Sequence, residues 1–370
     1  MIALLIQICI GLLSVYISIQ ILIVLSLLFS PKYQRKIISE KPLVSILIAA
    51  RNEALNILDC LMVIDKLKYP KDKLQVLIGN DQSEDETAQL VSNFIADKPY
   101  MQLYQIEKTV GKAKGKANVL AQLANHATGD FLFFTDADIE VNEYWVDALL
   151  SHQIGEHAAI VSGITVVKDK DLFSSMQRID WLYFMGILYA LHRVGFEATA
   201  VGNNMLVTQK AYEETGGYEH IDFSITEDYK LYQEIKKRNH NAINILSNDS
   251  INVSKSIATL SDLLHQRKRW LTGAIALPVY WWLVFGIFGM FLPACVFLFL
   301  FDWAIALQLL AAKFILQWFI VFIVSIKAKI KVNYWHSILY EFYAHGIALL
   351  TSINFFLPTN IRWKNRTYTS

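Results

Sequence analysis

Charge is scarce in this chain. Asp, Glu, Lys and Arg make up only 18% of its 370 residues, against 54% hydrophobic, and the mean hydropathy is +0.33. A soluble enzyme carries more charge than this, so membrane segments are expected. Cysteine is scarcer still. Cys9, Cys60 and Cys295 stand far apart, two of them in apolar stretches, which leaves no disulfide framework and no zinc-ligand spacing. A formal net charge of +1 carries no nucleic-acid signature, so nucleic acid is not expected as a partner. No internal repeat or low-complexity tract interrupts the chain.

Residues 1–30 contain no charged side chain, enough to cross a bilayer as a helix. A basic n-region and a small-residue cleavage site are both lacking, so this segment reads as an uncleaved transmembrane anchor rather than a signal peptide. Lys32, Arg35, Lys36 and Lys41 follow at once, and the positive-inside rule puts what comes next in the cytoplasm, at the inner membrane if the cell is bacterial. Beyond Trp270 the composition turns apolar again. Residues 276–358 read as a membrane region of about three apolar segments, the last carrying Glu341 and His345, followed by a basic tail over 359–370. Three spans would put Arg362, Lys364 and Arg366 on the wrong side, so the last segment is re-entrant or interfacial, or one run does not cross.

Between these, residues 42–273 read as a cytoplasmic domain. Strands are predicted at VSILIAA (44–50), LQVLIGND (74–81), MQLYQI (101–106), DFLFFTDAD (130–138) and AAIVSGITVV (158–167), with helical stretches such as NILDCLMVIDKL and DETAQLVSNFI between them. The alternation predicts an α/β domain with a mainly parallel sheet. Such sheets place their sites at the carboxyl ends of strands, where Arg51-Asn52-Glu53, Asn80-Asp81 and Asp136 to Asp138 collect. The segment 171–196 is largely apolar with Arg178, Asp180, His192 and Arg193 spaced through it, and reads as an interfacial helix pair or a packed core helix.

The stretch FLFFTDADIE (131–140) ends a buried strand on two acids. In extended backbone Asp136 and Asp138 point the same way, so their carboxylates converge on one spot. Oxygen ligands suit a hard cation, Mg²⁺ or Mn²⁺, that keeps positions for water and phosphate. The bland alternative is an acidic turn before a helix starting near Asn142 and Glu143.

Two further clusters complete the series: Thr226-Glu227-Asp228, and Gln266-Arg267-Lys268-Arg269-Trp270 some forty residues on. The order D, DxD, TED, QxxRW resembles the membrane-bound family 2 glycosyltransferases, the group of cellulose, chitin and hyaluronan synthases and ceramide glucosyltransferase-like enzymes. That resemblance implies a GT-A type nucleotide-sugar-binding domain. It implies that Asn52, Glu53 and Asp81 contact the uracil and ribose of a UDP-sugar, that Asp136 lies near the donor and that Asp138 holds the metal. Lys116 matches a lysine of the family's GKA segment, whose later asparagine is here Ala121. Asp228 resembles the general base, with Glu227, Gln266, Arg269 and Trp270 on the acceptor or diphosphate side. Gly202-Asn203-Asn204 and Gly216-Gly217-Tyr218 also resemble positions near the acceptor. Bland readings exist alongside: Asp81 and Ser83 as helix caps, Glu227 and Asp228 as an acidic first turn, and QRKRW as a basic flank with Trp270 as an interfacial anchor.

The implied activity is a metal-dependent, inverting transfer from a UDP-sugar, in which one carboxylate takes the acceptor's proton. A nucleotidyltransferase could also use DxD on a parallel sheet but would not require TED and QxxRW. The acceptor is expected to be a membrane-embedded lipid, because Trp363-Lys364-Asn365-Arg366 resembles the W-x-x-R ending of lipid-glycosylating relatives, and Glu341 and His345 suit a headgroup pocket. The alternative is a processive synthase extending a β-linked polysaccharide.

Overall fold

The computed structural model describes residues 1–31, 36, 38–196, 199–357, 361–363 and 366–368. Lys32 and Arg35 of the basic flank, and Lys364 and Asn365 of the tail, lie outside the described residues. The chain divides into two compact units, a helical one made of 1–31, 169–196 and 257–359, and a sheet unit made of 32–168, 197–256 and 360–370.

The sheet unit contains β1 (Val44–Ala50), α2 (Ile57–Asp65), β2 (Leu74–Asn80), α3 (Thr87–Ile95), β3 (Met101–Gln105), α4 (Lys116–Ala124), β4 (Phe131–Asp136), β5 (Ile139–Glu140), α5 (Trp145–Glu156), β6 (Ile160–Ser162) and β7 (Thr165–Val167). It continues with β8 (Met205–Thr208), α7 (Gln209–Glu214), α8 (Gly217–His220), α9 (Glu227–Lys236), β9 (Ala242–Asn244), β10 (Asn252–Ser254), β11 (Ile361–Trp363) and β12 (Arg366–Tyr368). The helical unit contains α1 (Ile2–Leu28), α6 (Leu172–Arg193), α10 (Leu260–Ala274), α11 (Val279–Phe299), α12 (Trp303–Ala328) and α13 (His336–Phe356).

The main sheet runs β3-β2-β1-β4-β8-β6-β9. Strands β3, β2, β1 and β4 are mutually parallel, as the alternating pattern predicts, and β8 alone runs antiparallel to its neighbours β4 and β6. Every residue of the central strand β1 is buried, which is why it reads as an unbroken apolar run rather than an alternating one. Its inward side chains, Ile46 and Ile48, share a core with Phe133 of β4, Trp145 and Leu149 of α5 and Leu61 of α2.

The predicted strand 158–167 is two strands in two sheets: β6 belongs to the main sheet and β7 to a small sheet ordered β5-β10-β7. The break falls at Gly163, where a Cβ would come within 2.5 Å of the Ser250 carbonyl and 2.6 Å of the Asn204 side chain. Asn204, fully buried, donates there to the carbonyls of Ile164 and Ser250 and accepts from the Trp145 indole at 2.8 Å.

In the helical unit, α1, α11 and α12 are long and apolar enough to cross a membrane. Among the described residues α13 falls short of them in hydropathy. Leu13 and Tyr16 of α1 pack with Phe291, Cys295 and Leu298 of α11 and Ala306 of α12. Residues 171–196 form one helix, α6, rather than a pair. It packs within this unit through Met176 and Ile179 on Val321 and Tyr340, and at Gly186, where a Cβ would meet Val324 at 2.5 Å. The 42–273 stretch thus gives two of its helices, α6 and α10, to the helical unit.

Candidate functional site

Three loops of the sheet unit leave the carboxyl ends of β1, β2 and β4, and they are tied together. After β1, Asn52 takes a left-handed conformation with φ of 51°, which turns its side chain so that Oδ1 accepts the Glu84 N–H at 2.9 Å. Its own N–H donates to the Ser83 hydroxyl at 3.0 Å, and the Glu53 N–H donates to Thr87 Oγ1 at 2.8 Å. Glu53 and Asp81 are buried at these strand ends. Ser83 serves Asn52 and not α3; the side chain at the start of α3 is Asp85, which accepts the Thr87 N–H at 3.0 Å. The helix-cap reading of Ser83 therefore does not hold.

Asp136 is the last residue of β4, and Asp138 follows on a turn before β5 rather than in continuing strand. The acidic-turn alternative fails on position. The side chain at the start of α5 is Asn142, whose Oδ1 accepts the Tyr144 N–H at 2.9 Å. Cys60, buried on α2, lies 3.6 Å from the Asp136 backbone carbonyl, and its thiol is pushed up by burial and then by the charges of Asp138, Asp136 and Glu53. Among the described residues no group of three or more His, Cys, Asp or Glu side chains forms a closed metal site. Asp136 and Asp138 are the carboxylates that could share a cation with a ligand.

Lys116 joins the second acidic cluster to the third. Its Nζ stands 2.6 Å from Asp136 Oδ1 and 2.8 Å from Glu227 Oε1. A cation in the first turn of α4 runs against the helix dipole, so its placement is explained by these partners. Burial opposes the charge on Lys116, but Asp136 and Glu227 outweigh it and hold the ammonium well above its ordinary range.

Asp228, half-buried in the first turn of α9, accepts the N–H of Gly202 at 2.9 Å and its neighbour Tyr229's N–H at 2.8 Å. Withdrawal from water, and then the Glu227 carboxylate, push the Asp228 carboxyl above the ordinary range despite Lys116 and these two N–H groups. The next residue to Gly202, Asn203, accepts from Thr135 of β4 through its carbonyl and from Thr165 through Oδ1 at 2.8 Å. A small pocket, with room on the order of one water, lies beside Glu227 and is lined also by Ala117, Tyr218, Phe223 and Lys230.

Gln266, Arg269 and Trp270 lie on α10 of the helical unit. The cations of QRKRW have separate fates. Arg267 pairs with Asp180 of α6 at 2.5 Å, and Lys268, 6% exposed, donates to the carbonyls of Asn354 and Leu357 at the end of α13. Arg269 makes no ion pair among the described residues. Trp270 is held by Trp181 at 5.6 Å and by the Arg267 guanidinium, 4.5 Å above its ring. Two internally committed cations do not make a simple basic flank. Asp180, which also accepts from the Tyr340 hydroxyl at 2.7 Å, is the partner that sequence reading missed. Its only signal was a lone acid in an apolar helix.

The family model for Glycosyl transferase family 21 matches residues 7–369. The chain belongs to that family. It is 29% identical over 205 residues to the probable glycosyltransferase YdaM of Bacillus subtilis, covering 54% of this chain and 48% of that one. It is 25% identical over 255 residues to the beta-monoglucosyldiacylglycerol synthase of a Nostoc species, covering 68% and 53%. This family 21 member thus spans about half the length of these relatives. Among solved structures, the mannosyltransferase PcManGT from Pyrobaculum calidifontis, in complex with GDP-Man and Mn²⁺, superposes with a TM-score of 0.60 at 20% identity over 95% of this chain and 98% of its own. The family 21 chain has a GT-A-type fold, a mixed α/β unit with a mostly parallel central sheet, with apolar helices in its N- and C-terminal regions.

Proposed function

We propose that the protein is an inverting glycosyltransferase that moves a hexosyl group from a UDP-sugar to a membrane-embedded lipid acceptor at the cytoplasmic face, using Mg²⁺ or Mn²⁺. The observation that carries this reading is Asp228: a carboxylate fixed by two N–H groups and raised toward the pH at which a base works, on the same unit as the DxD acids and linked to them through Lys116.

In this reading Asn52, Glu53 and Asp81 hold the nucleoside at the ends of β1 and β2. Asp136 and Asp138 are the carboxylates that would hold a hard cation, leaving its other positions to water and the donor's diphosphate. Bound there, the cation would compensate the charge that develops on the departing diphosphate. Lys116 holds Asp136 and Glu227 in place, and Glu227, so paired, leaves Asp228 as the carboxylate that accepts a proton. Asp228 takes that proton from the acceptor hydroxyl as the hydroxyl oxygen bonds to the anomeric carbon and the bond to the diphosphate oxygen breaks. A single displacement of this kind inverts the anomeric centre. The paired, tethered positions of Arg267 and Lys268 support Arg269 as the cation of α10 that meets diphosphate, with Gln266 and Trp270 beside it. The cytoplasmic side belongs to the same proposal, supported by Lys36 and Lys41 following α1.

The lipid acceptor is supported by the Nostoc relative, whose name states a glucosylated diacylglycerol as its product. Membranes containing the protein, incubated with radiolabelled UDP-sugars, test it. Label in the organic-extractable fraction is expected; label confined to high-mass, glycosidase-sensitive polymer refutes the lipid reading, and no UDP release from any UDP-sugar refutes the donor.

A further inference from the structure

Lys255 belongs to none of the motifs, yet its side chain ends in the loop after β1. It follows β10, whose Ser254 pairs with Ile139 of β5, one residue past Asp138. From there its ammonium donates to the Leu55 carbonyl at 3.0 Å, to Asn56 Oδ1 at 2.9 Å and to Asp59 Oδ2 at 3.0 Å. An ammonium has three N–H groups, and these acceptors take them all. Strand, loop and helix lie in the sheet unit, so one side chain ties the exit of the DxD turn to the loop that carries Asn52 and Glu53.

Neither helix stability nor charge pairing explains this arrangement. Lys255 lies against the first turn of α2, where a cation runs against the helix dipole. Its ion pair with Asp59 is open to water, with the two side chains 29% and 51% exposed, and such pairs add little. Asn56 is the sharper observation. It stands at the N-cap of α2, where asparagine ordinarily accepts an N–H of the first turn, yet among the described residues its side chain takes none of them. Instead Oδ1 accepts from Lys255, and Nδ2 donates to Glu53 Oε2 at 2.6 Å. The amide bridges these groups in one orientation only, since the cation needs its oxygen and the carboxylate its nitrogen. Glu53 is buried at the end of this relay.

We propose that Lys255 is a positioning residue for the nucleotide: it orients the Asn56 amide, and that amide holds the Glu53 carboxylate where the nucleoside's N–H or O–H groups reach it. Lys255 acts through Asn56 and not on the sugar nucleotide itself. The inference rests on the nucleoside role proposed for Glu53 and deepens it.

The test is calorimetric titration of the full chain, purified in detergent, with UDP in the presence of Mn²⁺. Lys255→Met and Asn56→Leu should each weaken UDP about tenfold, the worth of one hydrogen bond to a charged group, and raise donor KM by a similar factor with a smaller change in kcat. The double variant should bind UDP no more weakly than either single one, because both remove the same relay. Asp59→Asn keeps an acceptor for Lys255 and discards only the charge, so UDP affinity should stay within about twofold of wild type. Asn56→Leu leaves Lys255 its Leu55 and Asp59 acceptors, and it decides the matter where Lys255→Met fails to fold. A lowered thermal midpoint with UDP affinity intact in both variants, or additive losses in the double variant, overturns the proposal. Glu53→Gln separates the two levels. UDP binding weakened by Glu53→Gln but not by Lys255→Met or Asn56→Leu sinks the relay and leaves the donor site standing; UDP binding untouched by Glu53→Gln, or absent from the wild type, removes the donor role of Glu53 and the relay with it.

Discussion

The backbone N–H of Gly202 donates to Asp228 Oδ2 at 2.9 Å, and there is no room for a side chain between them. A Cβ on Gly202 would lie 2.7 Å from the Asp228 Cβ and 2.8 Å from Oδ2. The requirement at Gly202 is therefore one of close approach to the Asp228 carboxylate, the proposed base. Gly202→Ala should shift the Asp228 carboxylate and lower kcat by roughly 10²-fold, the scale of a misplaced general base, while donor KM changes little. Steady-state kinetics on the two variants Gly202→Ala and Gly202→Ser measure this; unchanged kcat in both would refute it.

Replacing the proposed base itself separates chemistry from binding. Asp228→Asn should reduce transfer by about 10²-fold or more with UDP affinity preserved. It should also stabilise the sheet unit at neutral pH. The folded pKa of Asp228 is raised above the unfolded one. Between the two values the folded state binds more protons than the unfolded, so stability falls as pH rises through that window, and the penalty persists above it. A thermal midpoint for Asp228→Asn above wild type at pH 7.5, with the difference shrinking toward acid, is the expected result. For the wild type, the acid limb of kcat/KM should lie above the ordinary Asp value of about 3.9.

Lys116 carries two acids at once, and removing it leaves them facing each other. Lys116→Met should cost roughly 2–4 kcal/mol of stability, at or below the range for breaking a fully buried pair because the Asp136 side chain is 33% exposed. Adding Glu227→Gln should return part of that loss. A double-mutant cycle by chemical denaturation measures the coupling; additive effects would mean the bridge is incidental.

The proposed use of a metal is tested at Asp138. Asp138→Asn should abolish most turnover, and a chelator should silence the wild type until Mn²⁺ or Mg²⁺ is restored. Full activity in excess chelator would falsify the assignment. UDP binding by calorimetry, with and without Mn²⁺, supplies a second readout that does not depend on turnover.

Local signals carried the sequence reading a long way and then stopped at a definable point. Strands β1, β2 and β4 were legible because each is a short apolar run ending in polar residues at a parallel sheet's carboxyl edge, and the acids that gather there follow from that register. The split at Gly163 was not legible, since the alternation of AAIVSGITVV continues through it and only the distant Ser250 and Asn204 forbid a continuous strand. Asp228 stood out by motif, but its neighbours Gly202 and Glu227 matter through distances no spacing encodes. Lys313 passed unnoticed as a lone cation in a long apolar helix, although an ionisable residue there predicts a partner, and Glu341, its ion-pair partner, was already in view.

The interleaving of the two units sets how the protein can be cut. Helices α6 and α10 belong with the apolar helices, yet their chain segments lie inside or at the end of the 42–273 stretch. An expression fragment bounded at those residues would retain α6 stripped of Val321 and Tyr340, and Arg267 separated from Tyr340's end of their shared acid. During synthesis, α6 can meet α1 at once but emerges long before α12 and α13 exist, so a nascent chain must carry the face that takes Val321 and Tyr340 uncovered through more than a hundred further residues. A soluble form is better sought by beginning after Pro31, excising 169–196 and stopping near Ser256.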